Sequence, residues 1–303
     1  MSNLFLYVVT VLIWGSTWLA IEFQLGVVEP EVSIVYRYAS ASFLLFAWCL
    51  LRRLRLRFDL RAHVWFVLLG FLLFCLNYIL TYRAQIHITS ALSAIVFSSM
   101  VWMNILMAKL LFGVRANRAV QGGAIIGICG IVVLFAPQIG EISLTDSVLY
   151  GSILAGLGAF SASCGNMVSQ KAQLLKLPIV QSNAWGMFYG ATITGIYTLI
   201  QGHPFTFDAS PGYIISLAYL SVFGSIIAFG AYLTLLGRIG ASKAGYAMVM
   251  FPVVALVLSM LFEGLQITAS IIVGTVLVLA GNLAVLKGAP RKKSLQAAAL
   301  PAE

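Results

Sequence analysis

An arginine inside an apolar stretch is the residue of this sequence with the most evident chemistry. Arg37 lies in "EVSIVYRYASASFLLF", residues 31–46. A cation inside a membrane is costly, so such residues usually pair with an acid, reach the interface or line a polar path. Three roles are therefore open: Arg37 extends to the nearer membrane surface, pairs with Glu22, or attracts a carboxylate in a cavity.

Aromatic side chains with polar tips form the second candidate group. Its members are Trp14, Tyr78, Tyr82, Trp102, Trp185 and Tyr246. Each one alone is as well explained by packing or by an interfacial belt, which fits Tyr82 in particular. Trp14, Tyr78 and Trp102 fall at mid-depth in their apolar blocks, where a polar tip needs a partner. As a group they predict a cavity wall suited to stacking an indole or phenyl group.

Small and hydroxyl residues indicate close helix contacts. Gly123 and Gly274 belong to glycine-rich stretches, which allow helix backbones to approach each other. Ser98 and Ser99 are candidates for the lining of a path, and Pro252 is a candidate flexible point within a helix. The predicted structural or gating residues are Glu22, Arg37, Pro252, Gly123 and Gly274.

The missing chemistry is equally informative. No Asp or Glu lies deep in an apolar block, so a proton relay has no evident carrier and facilitated diffusion is the simpler mechanism. Sodium bound by carbonyls and hydroxyls stays open. The sequence lacks a phosphate-binding P-loop, metal-ligand spacing and an activated nucleophile. We therefore expect no enzyme activity, no metal and no cofactor.

The elements that position these residues are long apolar blocks. The chain has 303 residues, of which 61% are hydrophobic and 9% charged. A membrane-spanning helix needs about 20 apolar residues, and ten such blocks lie between residues 4 and 287. The blocks do not alternate as barrel strands do. The predicted fold class is all-α integral membrane, with ten transmembrane helices.

The charge distribution predicts the orientation. All Lys and Arg except Arg37 and Arg83 fall in alternate connections or in the tail, although the net charge of +9 alone would suggest nucleic acid. The positive-inside rule then places both termini in the cytoplasm of a bacterial-type inner membrane. We expect contact with the lipid bilayer, no nucleic-acid partner, and a monomer or weak homodimer.

Weak internal similarity divides the chain into two halves. "EPEVSIVYR" (29–37) resembles "LPIVQSNAW" (177–185), and Gly123 and Gly130 share their spacing with Gly274 and Gly281. Five helices per half require halves of opposite orientation, a common transporter plan with the site at the repeat interface. We therefore predict inverted five-helix repeats over 4–136 and 148–287, and a mobile cytoplasmic tail over 288–303.

These features together resemble a known family. "LIWGSTW" in the first block, the early Arg37, and "MVMFPVVALVLSMLFEGL" before a glycine-bearing last helix resemble the drug/metabolite transporter superfamily, EamA type. Pro252 and Glu263 match the family pattern, which the first half lacks at the corresponding places. Overall likeness is greatest to the YddG-type exporters of aromatic amino acids. The resemblance also implies an architectural role for Arg37, because the family carries an arginine there across unlike substrates.

The predicted function is export of small amphipathic metabolites, chiefly aromatic or large apolar amino acids, by alternating access. Two alternatives stay open at this stage. One is a broad-specificity drug or metabolite exporter, with or without coupling to an ion, and the other is a membrane subunit that does not transport.

Overall fold

The computed structural model describes residues 1–112, 118–139, 147–239 and 246–288, and the regular elements in these ranges are helices. They are α1 (Asn3–Glu22), α2 (Pro30–Leu51), α3 (Leu60–Gln85), α4 (Ser90–Phe97 and Met100–Phe112), α5 (Arg118–Ile139), α6 (Ser147–Leu174), α7 (Ile179–Ile200), α8 (Pro211–Tyr219, Leu220–Ile227 and Ala228–Ile239), α9 (Tyr246–Phe262) and α10 (Ala269–Gly288). The predicted tail, 288–303, lies beyond the described residues except for Gly288.

Length and composition make several of these helices membrane-spanning candidates. Five are long and apolar enough to cross a bilayer: α1, α2, α3, α6 and the Pro211–Leu235 part of α8. Shorter apolar stretches lie in α4, α5, α9 and α10. Outward-facing side chains are also apolar, with Phe43 71% and Ile215 68% exposed. The all-helical membrane class is confirmed, whereas the count of ten spans stays a prediction.

Local sequence signals explain where the helices begin. The side chains of Ser2, Asp59, Thr89 and Ser210 accept hydrogen bonds from backbone N–H groups in the first turns of α1, α3, α4 and α8. Such caps satisfy N–H groups that have no partner within the helix. Pro30 opens α2, where its missing N–H costs nothing.

Two helices contain π-helical segments. They are Gly70–Leu76 in α3 and Leu220–Ile227 in α8. A π turn shifts the hydrogen-bond register and often lies at a functional site. Both segments face the centre of the bundle, so they help to position the groups around the cavity described below.

Two helix pairs are packed especially closely. In the α5–α10 pair, a Cβ atom added to Gly274 would lie 2.8 Å from the carbonyl oxygen of Gly130, and one added to Gly281 would lie 2.6 Å from that of Gly123. Residue numbers thus rise along one helix and fall along the other, so the pair is antiparallel. In the α2–α7 pair, Ser42 Oγ donates to the carbonyl oxygen of Ala184 at 2.9 Å.

Candidate functional site

An internal cavity of about 70 Å³ lies at the centre of the bundle. Residues from α1, α2, α3, α4, α6, α8 and α9 line it: Trp14, Thr17, Trp18, Ile21, Arg37, Leu73, Asn77, Tyr78, Thr81, Phe97, Met100, Ala162, Asn166, Phe229, Tyr232, Met248 and Phe251. Since one water needs about 10–15 Å³ by this kind of measure, the cavity holds about five waters. It is thus small compared with an amino acid such as tryptophan.

Aromatic rings form most of the wall beside α1. Trp14 lies edge-on to Phe229, with 5.1 Å between ring centroids, and 4.9 Å from Tyr232. Trp18 lies edge-on to Phe97 at 5.2 Å and stacks on Phe251 at 5.9 Å. These centroid distances are those of favourable aromatic pairs. The contacts join α1 to α4, α8 and α9 through a continuous apolar surface.

Arg37 reaches this cavity from α2. Its Nε donates to Ser225 Oγ of α8 at 3.0 Å, and its Nη1 donates to the hydroxyl of Tyr82 on α3 at 3.4 Å. The guanidinium carbon lies 4.6 Å from the centroid of the Tyr78 ring, a cation–π distance. The centroid of the Tyr38 ring lies 5.3 Å from the same carbon, so the guanidinium is held by two neutral hydroxyls and two aromatic rings.

The environment of Arg37 distinguishes between its predicted roles. Its side chain is 1% exposed, so it does not extend to the interface. Ion pairs within 4.0 Å in the described ranges join Arg83 to Glu31 and His203 to Glu29. The expected Arg37–Glu22 pair is therefore not formed. Instead, Glu22 lines a separate groove of about 480 Å³ at the α1–α2 connection.

The π segment of α8 supplies polar groups to this region. Trp14 Nε1 donates to the carbonyl oxygen of Gly224 at 3.3 Å. Ser40 of α2 donates to Ser221 Oγ at 2.9 Å, and Ser225 Oγ donates to the carbonyl oxygen of Leu220. Because a π turn leaves backbone groups outside the regular register, it can bind α1 and α2 through its own carbonyls and hydroxyls.

The other charged contacts lie at helix ends. Arg83 Nε donates to Glu31 Oε1 at 2.6 Å, linking the end of α3 to the first turn of α2. Both carboxylate oxygens of Glu263 accept hydrogen bonds from Ser90, from its N–H and its hydroxyl, at the N-terminus of α4. An acid is favourable there because the helix N-terminus carries partial positive charge.

Of the predicted substrate-binding residues whose side chains the structure describes, Trp14 and Tyr78 line the cavity. Tyr82 lies behind the lining, where it binds Arg37. Ser98 donates to the Ile95 carbonyl oxygen and accepts from Asn282, while the buried hydroxyl of Ser99 has no partner in the described part of the chain. Ser98 therefore lies at a contact between α4 and α10, and Ser99 beside it is buried.

The remaining aromatic candidates lie elsewhere. Trp102 is close to Gly127 of α5. Trp185 packs against Phe46 and His63, and its Nε1 donates to the carbonyl oxygen of Leu56. Tyr246 begins α9, but its side chain lies outside what the structure describes. Mid-depth position in a block thus did not separate cavity aromatics from packed ones.

The predicted structural residues fall at helix contacts. Gly123 and Gly274 lie in the α5–α10 pair. Pro252 is inside α9, directly after Phe251 of the cavity wall. Since proline cannot donate to the carbonyl four residues earlier, this turn of α9 lacks one backbone hydrogen bond.

Sequence reasoning missed several lining residues. Phe97, Phe229, Tyr232, Met248 and Phe251 are examples. One signal was available, because Phe229 and Tyr232 are three residues apart and share a helix face. That spacing does not tell a cavity from lipid, since both favour apolar side chains. As for metals, the described residues contain no cluster of three or more His, Cys, Asp or Glu side chains.

An all-helical membrane bundle with an enclosed, amphipathic cavity is the architecture of a small-molecule transporter, and comparison with known proteins agrees with this class. The model of the EamA-like transporter family matches residues 1–136 and 149–287. The chain therefore belongs to the EamA-like transporter family and is a multi-pass membrane transporter.

Individual relatives carry consistent names. The "Uncharacterized transporter YoaV" of Bacillus subtilis (strain 168) is 26% identical over 89% of this chain and 91% of its own length. The "Uncharacterized inner membrane transporter YedA" of Escherichia coli (strain K12) is 28% identical over 82% of this chain and 78% of its own length. The "Probable amino-acid metabolite efflux pump" of Escherichia coli (strain K12) is 25% identical over 63% of this chain and 66% of its own length.

A solved crystal structure of a protein also superposes on this chain. Its TM-score is 0.68 at 18% sequence identity, and the match covers 93% of this chain and 96% of that one. A match at this identity is evidence for a shared fold, and it extends over nearly the whole of both chains.

Proposed function

We propose that this transporter exports small amphipathic metabolites, chiefly aromatic or large apolar amino acids, across the inner membrane. The observation that carries the proposal is the cavity, where rings of α1, α4, α8 and α9 lie opposite the buried guanidinium of Arg37. An aromatic ring buried there gains both from leaving water and from aromatic pairing. A relative named a probable amino-acid metabolite efflux pump supports the same class of substrate, and YddG-type specificity is part of the proposal.

The proposed architecture is ten spans in two inverted five-helix repeats, 4–136 and 148–287. Three features support it. The π segments occur in α3 and α8, the third helix of each half. The antiparallel pairs are α2–α7 and α5–α10, each joining equivalent helices. Finally, α1 packs against α8 and α9, just as α6 packs against α3 and α4.

The size of the cavity favours alternating access. A space for about five waters is too small for tryptophan, so helices must move apart for a substrate to enter. We propose that one half rocks against the other, with both termini in the cytoplasm. The acids in the described ranges lie at helix ends or in connections, which favours facilitated diffusion. The protein is proposed to act as a monomer or weak homodimer in the bilayer.

Transport by purified protein in proteoliposomes tests this function. We expect labelled tryptophan and phenylalanine to move down their gradients faster than threonine or alanine, with little response to an imposed pH gradient. Trp18→Leu keeps an apolar side chain and removes from the cavity wall an aromatic ring that a bound substrate ring would pair with. Because an aromatic pair contributes about 0.5–1.5 kcal/mol, we expect affinity for tryptophan to fall by about 2- to 12-fold.

The matched control is Trp48→Leu on the outside of α2, where Trp48 is 49% exposed. It should leave tryptophan transport unchanged. Equal rates for all four amino acids, or equal losses in the two variants, would show that the aromatic wall does not select the substrate. Accumulation driven by protons alone would contradict facilitated diffusion.

A further inference from the structure

Arg37 is the one charged side chain among the described residues that line the central cavity. Its two hydrogen-bond partners, Ser225 and Tyr82, are neutral hydroxyls. In the described part of the chain no carboxylate lies within 4.0 Å of the guanidinium. The cavity wall therefore carries a positive charge that its own residues do not neutralise.

The same contacts fix the position of this charge. Ser225 holds one edge of the guanidinium, Tyr82 holds another, and the Tyr78 ring covers one face. Gly224 packs directly against it, because a Cβ atom added there would lie 3.2 Å from Arg37 Nη2. A guanidinium has five N–H donors in a planar fork that matches a carboxylate. Arg37 is thus preorganised for an anionic group entering the cavity.

Burying a charged guanidinium costs free energy unless an opposite charge compensates it. Taking a cation out of water costs several kcal/mol, and an uncompensated charge within a membrane protein usually marks a functional site. Arg83, by contrast, has its carboxylate partner Glu31 at 2.6 Å. Arg37 thus lacks the carboxylate partner that Arg83 has, and an incoming anion would supply it.

The described lining residues offer no carboxylate for a substrate ammonium group, because Asp and Glu are absent among them. The other polar groups there are neutral, and the oxygen of Asn77 accepts a hydrogen bond from Thr81, at 3.4 Å. A carboxylate therefore meets a fixed cation, whereas an ammonium meets neutral polar groups, aromatic faces that attract a cation weakly, and the same repelling cation.

We infer that Arg37 recognises a carboxylate, and that the substrates are aromatic or apolar organic acids for which an amino group is dispensable. This inference rests on the proposed transport function and narrows its substrate class. A monocarboxylate anion neutralises the charge of the site, while a zwitterion leaves a net positive charge behind. Deaminated acids should consequently bind at least as well as the corresponding amino acids.

Counterflow of labelled tryptophan in proteoliposomes, with unlabelled competitors, tests the inference on the wild-type protein. The competitors are tryptophan, indole-3-propionate, which lacks the amino group, and tryptophanamide and tryptamine, which lack the carboxylate. We expect indole-3-propionate to reach half-inhibition at the same concentration as unlabelled tryptophan, or at a lower one. Tryptophanamide and tryptamine should need at least about tenfold more, which corresponds to 1.4 kcal/mol.

The variant Arg37→Gln separates recognition from architecture. Loss of the cation should bring the half-inhibition concentrations of the four competitors to within about threefold of one another. A merely structural role would instead lower all transport rates and keep the ranking of the competitors. Arg83→Gln is the matched control, since it also removes one arginine charge but lies outside the cavity. It should keep the wild-type ranking.

A binding measurement keeps the test decisive if Arg37→Gln fails to fold. Thermal unfolding of purified wild-type protein in detergent should shift upward with indole-3-propionate and tryptophan, and not with tryptamine, because only ligands of the folded state stabilise it. Equal shifts or equal competition by tryptamine would overturn the inference and leave the proposed transport intact. Selective shifts without any counterflow would instead contradict the proposed transport and support the recognition of carboxylates.

Discussion

The two π segments, in α3 and α8, have the same type of backbone and very different surroundings. Gly70 opens the segment in α3 and touches the backbone of α7: an added Cβ would lie 2.6 Å from the Gly186 carbonyl oxygen and 2.9 Å from the Gly190 nitrogen. Phe74, in the same segment, is fully buried against Gly190. This segment is a tight, mostly apolar joint between α3 and α7, with one polar contact to α6, where Ser161 donates to the Leu72 carbonyl oxygen at 2.8 Å.

The segment in α8 instead makes polar contacts. Gly224 accepts a hydrogen bond from Trp14, Ser221 accepts one from Ser40, and Ser225 accepts one from Arg37. A Cβ atom added to Gly224 would meet side chains, Thr17 and Arg37, rather than the backbone of another helix. The comparison indicates that equivalent positions in the two proposed repeats make different contacts: the α3 segment packs against the backbone of α7, and the α8 segment binds the side chains of Trp14, Ser40 and Arg37.

The largest effect should come from the packed segment. Gly70→Ala places a methyl group against the backbone of α7, which cannot move aside as a flexible side chain can. We expect destabilisation of about 3 kcal/mol, the upper end for overpacking, and a large loss of folded protein. Monodispersity in size-exclusion chromatography and the unfolding temperature in detergent measure it.

Gly156→Ala in α6 is the control for the Gly70 experiment. No atom lies within 4 Å of the position of its added Cβ, so stability should stay the same or rise, since alanine favours helix more than glycine does. If Gly70→Ala were as well tolerated, the α3 segment would not be the tight joint described above.

Two serine variants should have smaller effects. They distinguish the contact of the α8 segment with the charged Arg37 from its contact with the neutral Ser40. Ser225→Ala removes an acceptor from the buried Arg37 guanidinium, and bonds to charged groups contribute about 1.5–3 kcal/mol. Ser221→Ala removes a bond from Ser40, whose hydroxyl is also within 2.7 Å of the Tyr36 carbonyl oxygen. Its loss should cost about 0.5 kcal/mol, the low end for neutral bonds.

Chemical or thermal unfolding of both serine variants, side by side with tryptophan counterflow, measures the difference. Ser225→Ala should weaken tryptophan transport, whereas Ser221→Ala should change it less than twofold. Equal losses would mean that the α8 segment acts as packing, like the segment in α3, and that its contact with Arg37 has no special role.

Much of the helical plan could be predicted from the sequence. Hydrophobic blocks are long in a membrane protein, because every span must satisfy its backbone internally and face lipid. The block 267–287 corresponds to Ala269–Gly288, for example. The π segments could not be predicted in this way, since "GFLLFCL" and "LSVFGSII" are as apolar as regular helix.

The site was less accessible from sequence, for a physical reason. Trp14 and Trp102 both lie at mid-depth, yet only Trp14 faces the cavity, because the direction of a side chain depends on how neighbouring helices are arranged. The apolar block left open whether Arg37 extends to the interface, pairs with Glu22 or lines a cavity. The partners of Arg37 could not be predicted, because Ser225 and Tyr82 lie 188 and 45 residues away in the chain.

The smallest effect should come from Trp14→Phe, which removes the indole N–H and keeps an aromatic ring. The bond to the Gly224 carbonyl oxygen is long, at 3.3 Å, so its loss should cost about 0.5 kcal/mol. Ring contacts with Phe229 and Tyr232 would persist in the variant, whereas Trp14→Leu would lose them and cost about 0.5–1.5 kcal/mol more. Unfolding temperatures and tryptophan counterflow in both variants measure the two contributions. A Phe variant as impaired as the Leu variant would show that the polar contact with the α8 segment, rather than the aromatic wall, is what Trp14 contributes.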